Sequence, residues 1–334
     1  MGGRFHGLPR MPRAEYLRVE AKVLAAFGGF ATVPRYYANK PDFGDLDVIA
    51  DSDCAPALPE IWGALGATSI GHNGHLHTAI VDGLQVDIFF TRSELIQARR
   101  AFMDFSDVGN IVGRMVRRMG MRFGEDGLFY VFRAERFGLD SQYRADLLLT
   151  RDFATVCDLL ALDCDRWFHG FQEPRQMFDW VTASPWFGQE LYLSNGESAP
   201  ILKRAMLKHR TGILDFVEYV EAREWKPVEK VGVQESIDIA DHHFGGVRDW
   251  VADRIADTEA KIAAAKRFNG RLVMSLRPDL TGKTLGEFMR AVRQREGFDD
   301  WIAVASDGDI ESMIRSESLQ SPNNPDALDG SGAV

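Results

Sequence analysis

The sequence predicts an α+β protein in which an N-terminal mixed sheet, flanked by helices, is followed by a mainly α-helical C-terminal domain. Three observations support this prediction. Short runs of β-branched and aromatic residues alternate with helical patterns up to Thr150. Two of these runs meet at Asp82-Gly83, a dipeptide typical of tight hairpin turns. Beyond Thr150 the apolar residues recur at helical spacing, with interruptions at prolines.

The length of the chain predicts more than one domain. It has 334 residues, of which 45% are hydrophobic and 26% are charged. We expect the sheet domain over residues 1–150 and a helical acceptor-binding domain over residues 151–317. Residues 318–334 are rich in Ser, Asn, Pro, Asp and Gly, so they bury too little apolar surface to offset the entropy of ordering. We expect that tail to be disordered.

The sequence has no signal that would direct the chain to a membrane or out of the cell. No apolar run approaches the roughly 20 residues of a membrane-spanning helix, and no apolar core follows the N-terminal arginines. Cys54, Cys157 and Cys164 form neither a CxxC motif nor a Cys/His ladder. We therefore expect a cytoplasmic protein with reduced thiols and no membrane partner.

The first elements alternate between helix and strand. Apolar residues at helical spacing predict a helix over residues 14–27, and Gly28-Gly29 ends it. Residues 30–37 and 43–50 have strand character, with a loop between them. Residues 59–65 suit a short helix that covers the sheet.

A hairpin and further helices complete the N-terminal domain. The hairpin strands are residues 77–81 and 84–90. Thr91 and Glu94 fit a capping box that opens a helix to about Phe102, and a second helix begins near Asp107.

One more strand pair precedes the helical region. Residues 128–133 and 143–149 predict its two strands, and Asp152 opens the next helix.

Three aspartates on the predicted strands carry the chemistry. Side chains alternate along a strand, so Asp45 and Asp47 project from one face while Leu46 enters the core. Asp87 points away from the core on the second hairpin strand in the same way. If the two strands are neighbours, the three carboxylates converge on one point.

Converging carboxylates repel one another unless a cation neutralises them, and hard oxygen ligands favour Mg²⁺ or Mn²⁺. Metal ions held by such acids suit phosphoryl or nucleotidyl transfer, because they activate a hydroxyl and stabilise departing pyrophosphate. The alternative is structural: Asp45 and Asp47 are then solvent-facing residues of an edge strand, and Asp87 an ordinary hairpin side chain.

The stretch NKPDFGDLDVIADSD followed by DGLQVDIFF resembles the nucleotidyltransferase superfamily of DNA polymerase beta, poly(A) polymerases, tRNA CCA-adding enzymes and aminoglycoside nucleotidyltransferases. The resemblance implies a nucleoside triphosphate as substrate. It also implies that Asp45 and Asp47 bind both metal ions, and that Asp87 is the third acid, which helps to activate the acceptor hydroxyl.

The sequence departs from this family where the triphosphate is held. Family members have a Gly-Gly or Gly-Ser turn before the paired acids, and this chain has none there. We expect Asn39, Lys40 or Gly44 to contact the phosphates instead. DVGNIVGRM and EDGLFYVFR resemble phage and viral relatives, and that resemblance implies that Asn110 and Arg114 face the nucleotide.

The acceptor is open between several classes. The helical C-terminal half and local basic clusters favour RNA, such as a tRNA 3′ end. Those clusters are Arg114 to Arg122, Lys203 to Arg210, and Lys261 to Lys283. The net charge of −10 fits a small-molecule or protein hydroxyl better. A non-catalytic nucleic-acid-binding or interaction module with this fold is the third hypothesis.

Two further motifs are interpreted as structural. His72, His75 and His77 lack a firm third metal ligand, so we expect histidines of a turn and a strand edge. Gly282-Lys283-Thr284 lacks the upstream glycine and apolar strand of a phosphate loop, so we expect a loop that begins a helix.

Overall fold

The computed structural model describes residues 7–74, 76–192 and 211–317. The chain divides into two compact units. Unit 1 comprises Met1–Phe132 and Ala145–Arg248, and unit 2 comprises Arg133–Arg144 and Asp249–Val334. The functional boundary near Thr150 stays a prediction. The expected disordered tail, 318–334, and the basic cluster at 203–210 lie outside the described residues.

Strands and helices alternate in the first half of the chain, and helices fill the second half. The strands are β1 (Met11–Pro12), β2 (Ala31–Thr32), β3 (Asp42–Phe43), β4 (Asp45–Asp51), β5 (Thr68–Asn73), β6 (Leu76–Val81), β7 (Leu84–Thr91), β8 (Met121–Gly124), β9 (Gly127–Arg133) and β10 (Arg144–Thr150). The helices of unit 1 are α1 (Arg13–Ala26), α2 (Leu58–Leu65), α3 (Ile96–Met103), α4 (Val108–Arg118), α5 (Phe153–Leu159), α6 (Cys164–His169), α7 (Pro174–Thr182), α8 (Thr211–Glu221) and α9 (Val233–Phe244). Next come α10 (Val247–Arg267), which runs from unit 1 into unit 2, and α11 (Gly270–Leu276), α12 (Gly282–Arg293), α13 (Phe298–Val304) and α14 (Asp307–Ser316) of unit 2. The predicted α+β class is confirmed.

A mixed sheet of five strands organises unit 1. Its order is β2-β4-β7-β6-β5. β4 and β7 are parallel, whereas the other neighbouring strands are antiparallel. A smaller sheet has the order β10-β9-β8, and β1 pairs with β3. Because β4 and β7 are neighbours, residues at equivalent positions of both strands face the same side of the sheet.

Helices α1 and α2 bury the apolar residues of the large sheet. Leu46 and Val48 of β4 and Val86 and Ile88 of β7 have no exposed surface. They pack in one cluster with residues of α1 and α2, among them Tyr16, Val19, Val23, Ile61, Trp62 and Leu65. Burial of this kind stabilises the sheet by roughly 1.5–3 kcal/mol per large apolar side chain. Every second residue of β4 and β7 faces away from this core.

The strand expected over residues 30–37 is much shorter than the pattern indicated. Only Ala31–Thr32 pairs with β4. Pro34 has no amide hydrogen to donate, and the amide of Arg35 donates to the side chain of Asp104 at 2.6 Å. These residues therefore form an irregular segment.

The capping box expected at Thr91 is wrong. Thr91 is the last residue of β7, and its hydroxyl donates to Phe89 O and accepts from the Arg99 guanidinium. A short 3₁₀ turn, Ser93–Leu95, intervenes before α3 begins at Ile96. The hydroxyl is already bonded within the strand end, so it cannot cap a helix.

Unit 2 has an apolar cluster of its own. Phe268, Val273, Phe288, Ile302 and Ile314 are buried within it. The Gly-Lys-Thr motif lies at the start of α12, where Thr281 is the N-cap residue. The expectation of a helix-initiating loop is confirmed there.

Among the described residues, no helix combines the length and the apolar character that a membrane span requires.

Candidate active site

The three predicted aspartates lie on the two parallel strands of the large sheet. Asp47 of β4 is directly opposite Asp87 of β7, and Asp45 is opposite Gln85. Their strand neighbours Leu46 and Val86 point into the core. Strand alternation therefore puts all three carboxylates on the face away from that core.

The carboxylates converge as the sequence predicted. One oxygen from each of Asp45, Asp47 and Asp87 lies within 4.8 Å of the other two. Asp87 is buried, whereas Asp45 and Asp47 are half-buried. Within the described ranges, this is the one group of three acidic, histidine or cysteine ligands close enough to share a metal ion. The alternative of separate surface aspartates does not fit this geometry.

Two polar side chains that sequence reasoning missed hold Asp87. The Thr78 hydroxyl donates to Asp87 Oδ1 at 2.7 Å, and Gln85 Nε2 donates to Asp87 Oδ2 at 2.8 Å. Thr78 lies opposite Asp87 in the hairpin. A two-residue Asp-Gly turn fixes that register, so the pairing could have been read from the sequence by counting back from the turn.

Burial and mutual repulsion outweigh the nearby positive charge of Lys40 at the site. Burial, followed by the charges of Asp45 and Asp87, raises the pKa of Asp47 to about 7. Burial also raises the pKa of Asp87, although hydrogen bonds from Thr78 and Gln85 act in the opposite direction. A divalent cation would remove the repulsion and return both groups to their ionised form.

The donor set fits a hard divalent cation. Carboxylate oxygens are the ligands that Mg²⁺ and Mn²⁺ prefer, and each of the three residues can offer one. Asp87 is already oriented by Thr78 and Gln85, as metal ligands commonly are by hydrogen bonds from their neighbours.

An aromatic cluster supports the start of β4. Tyr16 of α1 stacks on Phe43 with ring centroids 3.7 Å apart, and Tyr36 meets Phe43 edge-on at 4.8 Å. Such rings fix the position of Phe43, two residues before Asp45.

Lys40 lies beside the acids. Its ammonium group is 4.3 Å from the centre of the Phe43 ring. Burial lowers the pKa of Lys40, and the negative charges of Asp45 and Asp47 oppose that shift.

The other two expected phosphate contacts differ from Lys40 in exposure. Asn39 is exposed, and its backbone N–H donates to Gln172 O at 2.9 Å. Gly44 is buried immediately before Asp45. The roles of all three residues stay predictions.

Asn110 and Arg114 of α4 take part in local packing. Asn110 Nδ2 donates to Asp107 Oδ1 at 3.3 Å. Arg114 is buried, donates to Leu191 O at 3.1 Å and lies 5.3 Å from the centre of the Tyr192 ring. Their contact with a nucleotide stays a prediction.

Neighbouring members of the basic cluster on α4 and β8 are also engaged within the protein. Arg118 forms an ion pair with Glu190 and donates to Val228 O at 2.5 Å. Arg122 forms ion pairs with Asp126 and Asp146. These contacts account for much of the cluster without an RNA.

The expected structural role of the histidines agrees with the fold. His72 and His77 are a cross-strand pair of β5 and β6, with ring centroids 6.4 Å apart. His75 lies outside the described residues.

No protein-family model matches the sequence, and no curated protein matches it. Among solved structures, the chain is similar to polymerase beta of Leishmania infantum, crystallised as a ternary P/T complex. The two chains are 16% identical, with a TM-score of 0.34, over 46% of this chain and 74% of that chain. A likeness at this level shows nothing about the activity of this chain, and the three converging carboxylates are the feature of the site that bears on it.

Proposed function

We propose that the protein is a metal-dependent nucleotidyltransferase that moves a nucleoside monophosphate from a nucleoside triphosphate to an acceptor hydroxyl. The observation that carries this proposal is the convergence of Asp45, Asp47 and Asp87 within 4.8 Å on adjacent parallel strands. Mg²⁺ or Mn²⁺ bound there would supply charge neutralisation for the phosphates.

Each aspartate has a distinct part in the proposed reaction. Asp45 and Asp47 hold the ions, and Asp87, oriented by Thr78 and Gln85, accepts the proton of the acceptor hydroxyl. The hydroxyl oxygen forms a bond to the α-phosphorus while the bond to the β-phosphate oxygen breaks. Pyrophosphate leaves with that electron pair.

Lys40 is the residue that we propose to contact the phosphates. It is near enough to Asp45 and Asp47 for their charges to affect its pKa, and Phe43 holds its side chain in place. Asn39, Gly44, Asn110 and Arg114 complete the proposed nucleotide site. For the acceptor we propose RNA, such as a tRNA 3′ end, with a small-molecule or protein hydroxyl as the alternative that the net charge of −10 favours.

Pyrophosphate release tests the proposal whichever molecule accepts the nucleotide. We would incubate the protein with Mg²⁺, each nucleoside triphosphate in labelled form, and total tRNA, a panel of hydroxyl-bearing small molecules or no acceptor. We expect pyrophosphate and a labelled product. Asp45→Asn and Asp87→Asn should each reduce the rate by about 100-fold or more, because the first removes a charge that the ions require and the second removes the group that accepts the proton.

Asp53→Asn is the matched control. Asp53 is an exposed carboxylate beyond the other end of β4, bonded to Ser93. It should leave the rate unchanged. Absence of pyrophosphate with every nucleotide, together with no thermal shift from magnesium and nucleotide, would contradict the proposal and favour a binding module. A product on a small molecule or on the protein itself, with none on tRNA, would replace RNA as the acceptor.

A further inference from the structure

Residues 261–295 of unit 2 are predominantly positively charged. The whole chain has 39 basic and 49 acidic residues, but this segment has nine basic and two acidic ones. The basic residues are Lys261, Lys266, Arg267, Arg271, Arg277, Lys283, Arg290, Arg293 and Arg295. Cations that internal ion pairs leave unpaired are available to contact an external anion.

Internal ion pairs account for only part of the excess. The paired residues are Lys261 with Asp257, Arg267 with Asp307, Arg277 with Asp279, and Arg295 with Glu317. Lys283 is 3.7 Å from Glu287, but its side chain remains 89% exposed. Lys266, Arg271 and Arg290 are exposed and have no acidic group within 4.0 Å in the part of the chain that the structure describes.

The packing of two helices brings Arg293 next to the segment that carries Lys266 and Arg271. The start of α11 packs against α12, since a Cβ on Gly270 would lie 3.5 Å from Leu285 and Met289. Arg293 Nη2 donates to Phe268 O at 3.2 Å. The guanidinium of Arg293 is thus at the junction of α10 and α11, which Lys266 and Arg271 flank in sequence.

The exposed side of α12 carries the remaining cations. Lys283 and Arg290 are seven residues apart, which is two helical turns, and Arg293 follows one turn later. Phe288 and Val292 face the core on the opposite side. A Cβ on Gly286 would meet no atom within 4 Å, so the surface beside these cations is open.

We propose that this basic surface, formed by Lys266, Arg271, Lys283, Arg290 and Arg293, binds the phosphate backbone of a nucleic acid. The inference rests on the proposed function in one respect, because it gives a nucleic-acid acceptor a binding surface. A membrane surface fits less well, since it requires an exposed apolar face and the large apolar residues of α12 pack on the core. Exposed cations without acidic partners are what phosphate contacts use.

The test is the binding of a fluorescent single-stranded RNA to the full chain, measured by anisotropy at several salt concentrations. The variant Lys266→Gln/Arg271→Gln/Arg290→Gln removes the three unpaired cations. We expect its affinity to fall by about tenfold or more. The slope of log affinity against log salt should shrink by about 2, since each lost contact to a single strand contributes roughly 0.7.

A matched triple variant separates this surface from general charge. Arg18→Gln/Arg92→Gln/Arg175→Gln removes three exposed charges of unit 1 and should retain the affinity within about twofold, because binding depends on local contacts. Equal losses in both triple variants would overturn the proposal. Binding to anionic lipid vesicles in place of RNA would overturn it as well.

RNA binding and pyrophosphate release are measured separately, so each proposal can be contradicted without the other. The binding measurement uses no nucleotide and no metal, and Asp87→Asn should bind RNA like the unaltered chain. Intact, surface-dependent RNA binding without pyrophosphate release would contradict the proposed reaction alone. Pyrophosphate release with an RNA affinity that the first triple variant leaves unchanged would contradict the basic surface alone.

Discussion

Asp47 is the residue of the proposed cation site whose pKa is raised into the neutral range. Burial and the neighbouring carboxylates raise its pKa from 3.8 to about 7. Without a cation, the folded chain therefore holds a proton between these pH values that the unfolded chain has released. Because the folded chain binds this proton more tightly, protonation of Asp47 raises the free energy of unfolding relative to its value at high pH. This stabilisation is complete below about pH 4 and is lost as the pH rises through about 7.

A proton and a metal ion compete for this carboxylate, so metal affinity must depend on pH. We expect the affinity for Mn²⁺ to rise by about tenfold per pH unit up to about pH 7 and to level off above it. Electron paramagnetic resonance of free Mn²⁺ measures this directly. Asp53→Asn, at the other end of the strand, should show the same profile as the unaltered chain. A flat profile between about pH 5 and 7 would mean that Asp47 does not take part.

At the scale of elements, residues 33–41 form an irregular segment that brings Lys40 to the acids. Arg35 anchors it: its Nε donates to Asp104 at 2.6 Å, and its Nη1 donates to Trp167 O at 2.7 Å. The Arg35 guanidinium also lies 4.6 Å from the centre of the Trp167 ring. The segment is therefore fixed by side-chain contacts where a regular strand would be fixed by its ladder.

Removing the anchor should destabilise unit 1. Only 3% of the Asp104 side chain is exposed, so Asp104→Ala leaves Arg35 without its partner, and we expect a cost of about 3–5 kcal/mol in urea unfolding. Glu94→Ala breaks the exposed ion pair with Arg92 and serves as the control, at about 1 kcal/mol or less. Similar losses in both variants would show that Arg35 and Asp104 are no more than a surface pair.

Residues 33–41 also illustrate which features local sequence patterns can predict and which they cannot. Local rules found the hairpin at Asp82-Gly83, the alternation of Asp45 and Asp47, and the helix that Asp152 caps. They missed β5, an exposed edge strand with the sequence TSIGHN, and the four-residue β8. They also predicted a strand over residues 30–37, where only Ala31–Thr32 forms β2. The partner of Arg35 is Asp104, 69 residues away, and no local pattern encodes such a contact.

At the scale of the whole molecule, the proposed active site and the proposed basic surface belong to different compact units. Asp45, Asp47 and Asp87 are in unit 1, and residues 261–295 are in unit 2. Each unit has its own buried apolar cluster, one on the large sheet and one that includes Phe268 and Ile302. Separate cores allow one unit to lose stability while the other keeps its structure.

This organisation predicts that metal binding does not require an intact unit 2. Ile302 has no exposed surface, so Ile302→Ala should destabilise unit 2 by about 2–5 kcal/mol through the lost apolar contacts and the cavity. We expect a lower-temperature transition in calorimetry, weaker RNA binding once unit 2 unfolds, and an unchanged Mn²⁺ affinity at temperatures between the two transitions. Val48→Ala, in the core of unit 1, is the converse control and should weaken Mn²⁺ binding on heating. The three carboxylates lie on β4 and β7, so the affinity for Mn²⁺ measures the arrangement of these two strands alone. If that affinity were lost when unit 2 unfolds, the convergence of the carboxylates would depend on the whole chain.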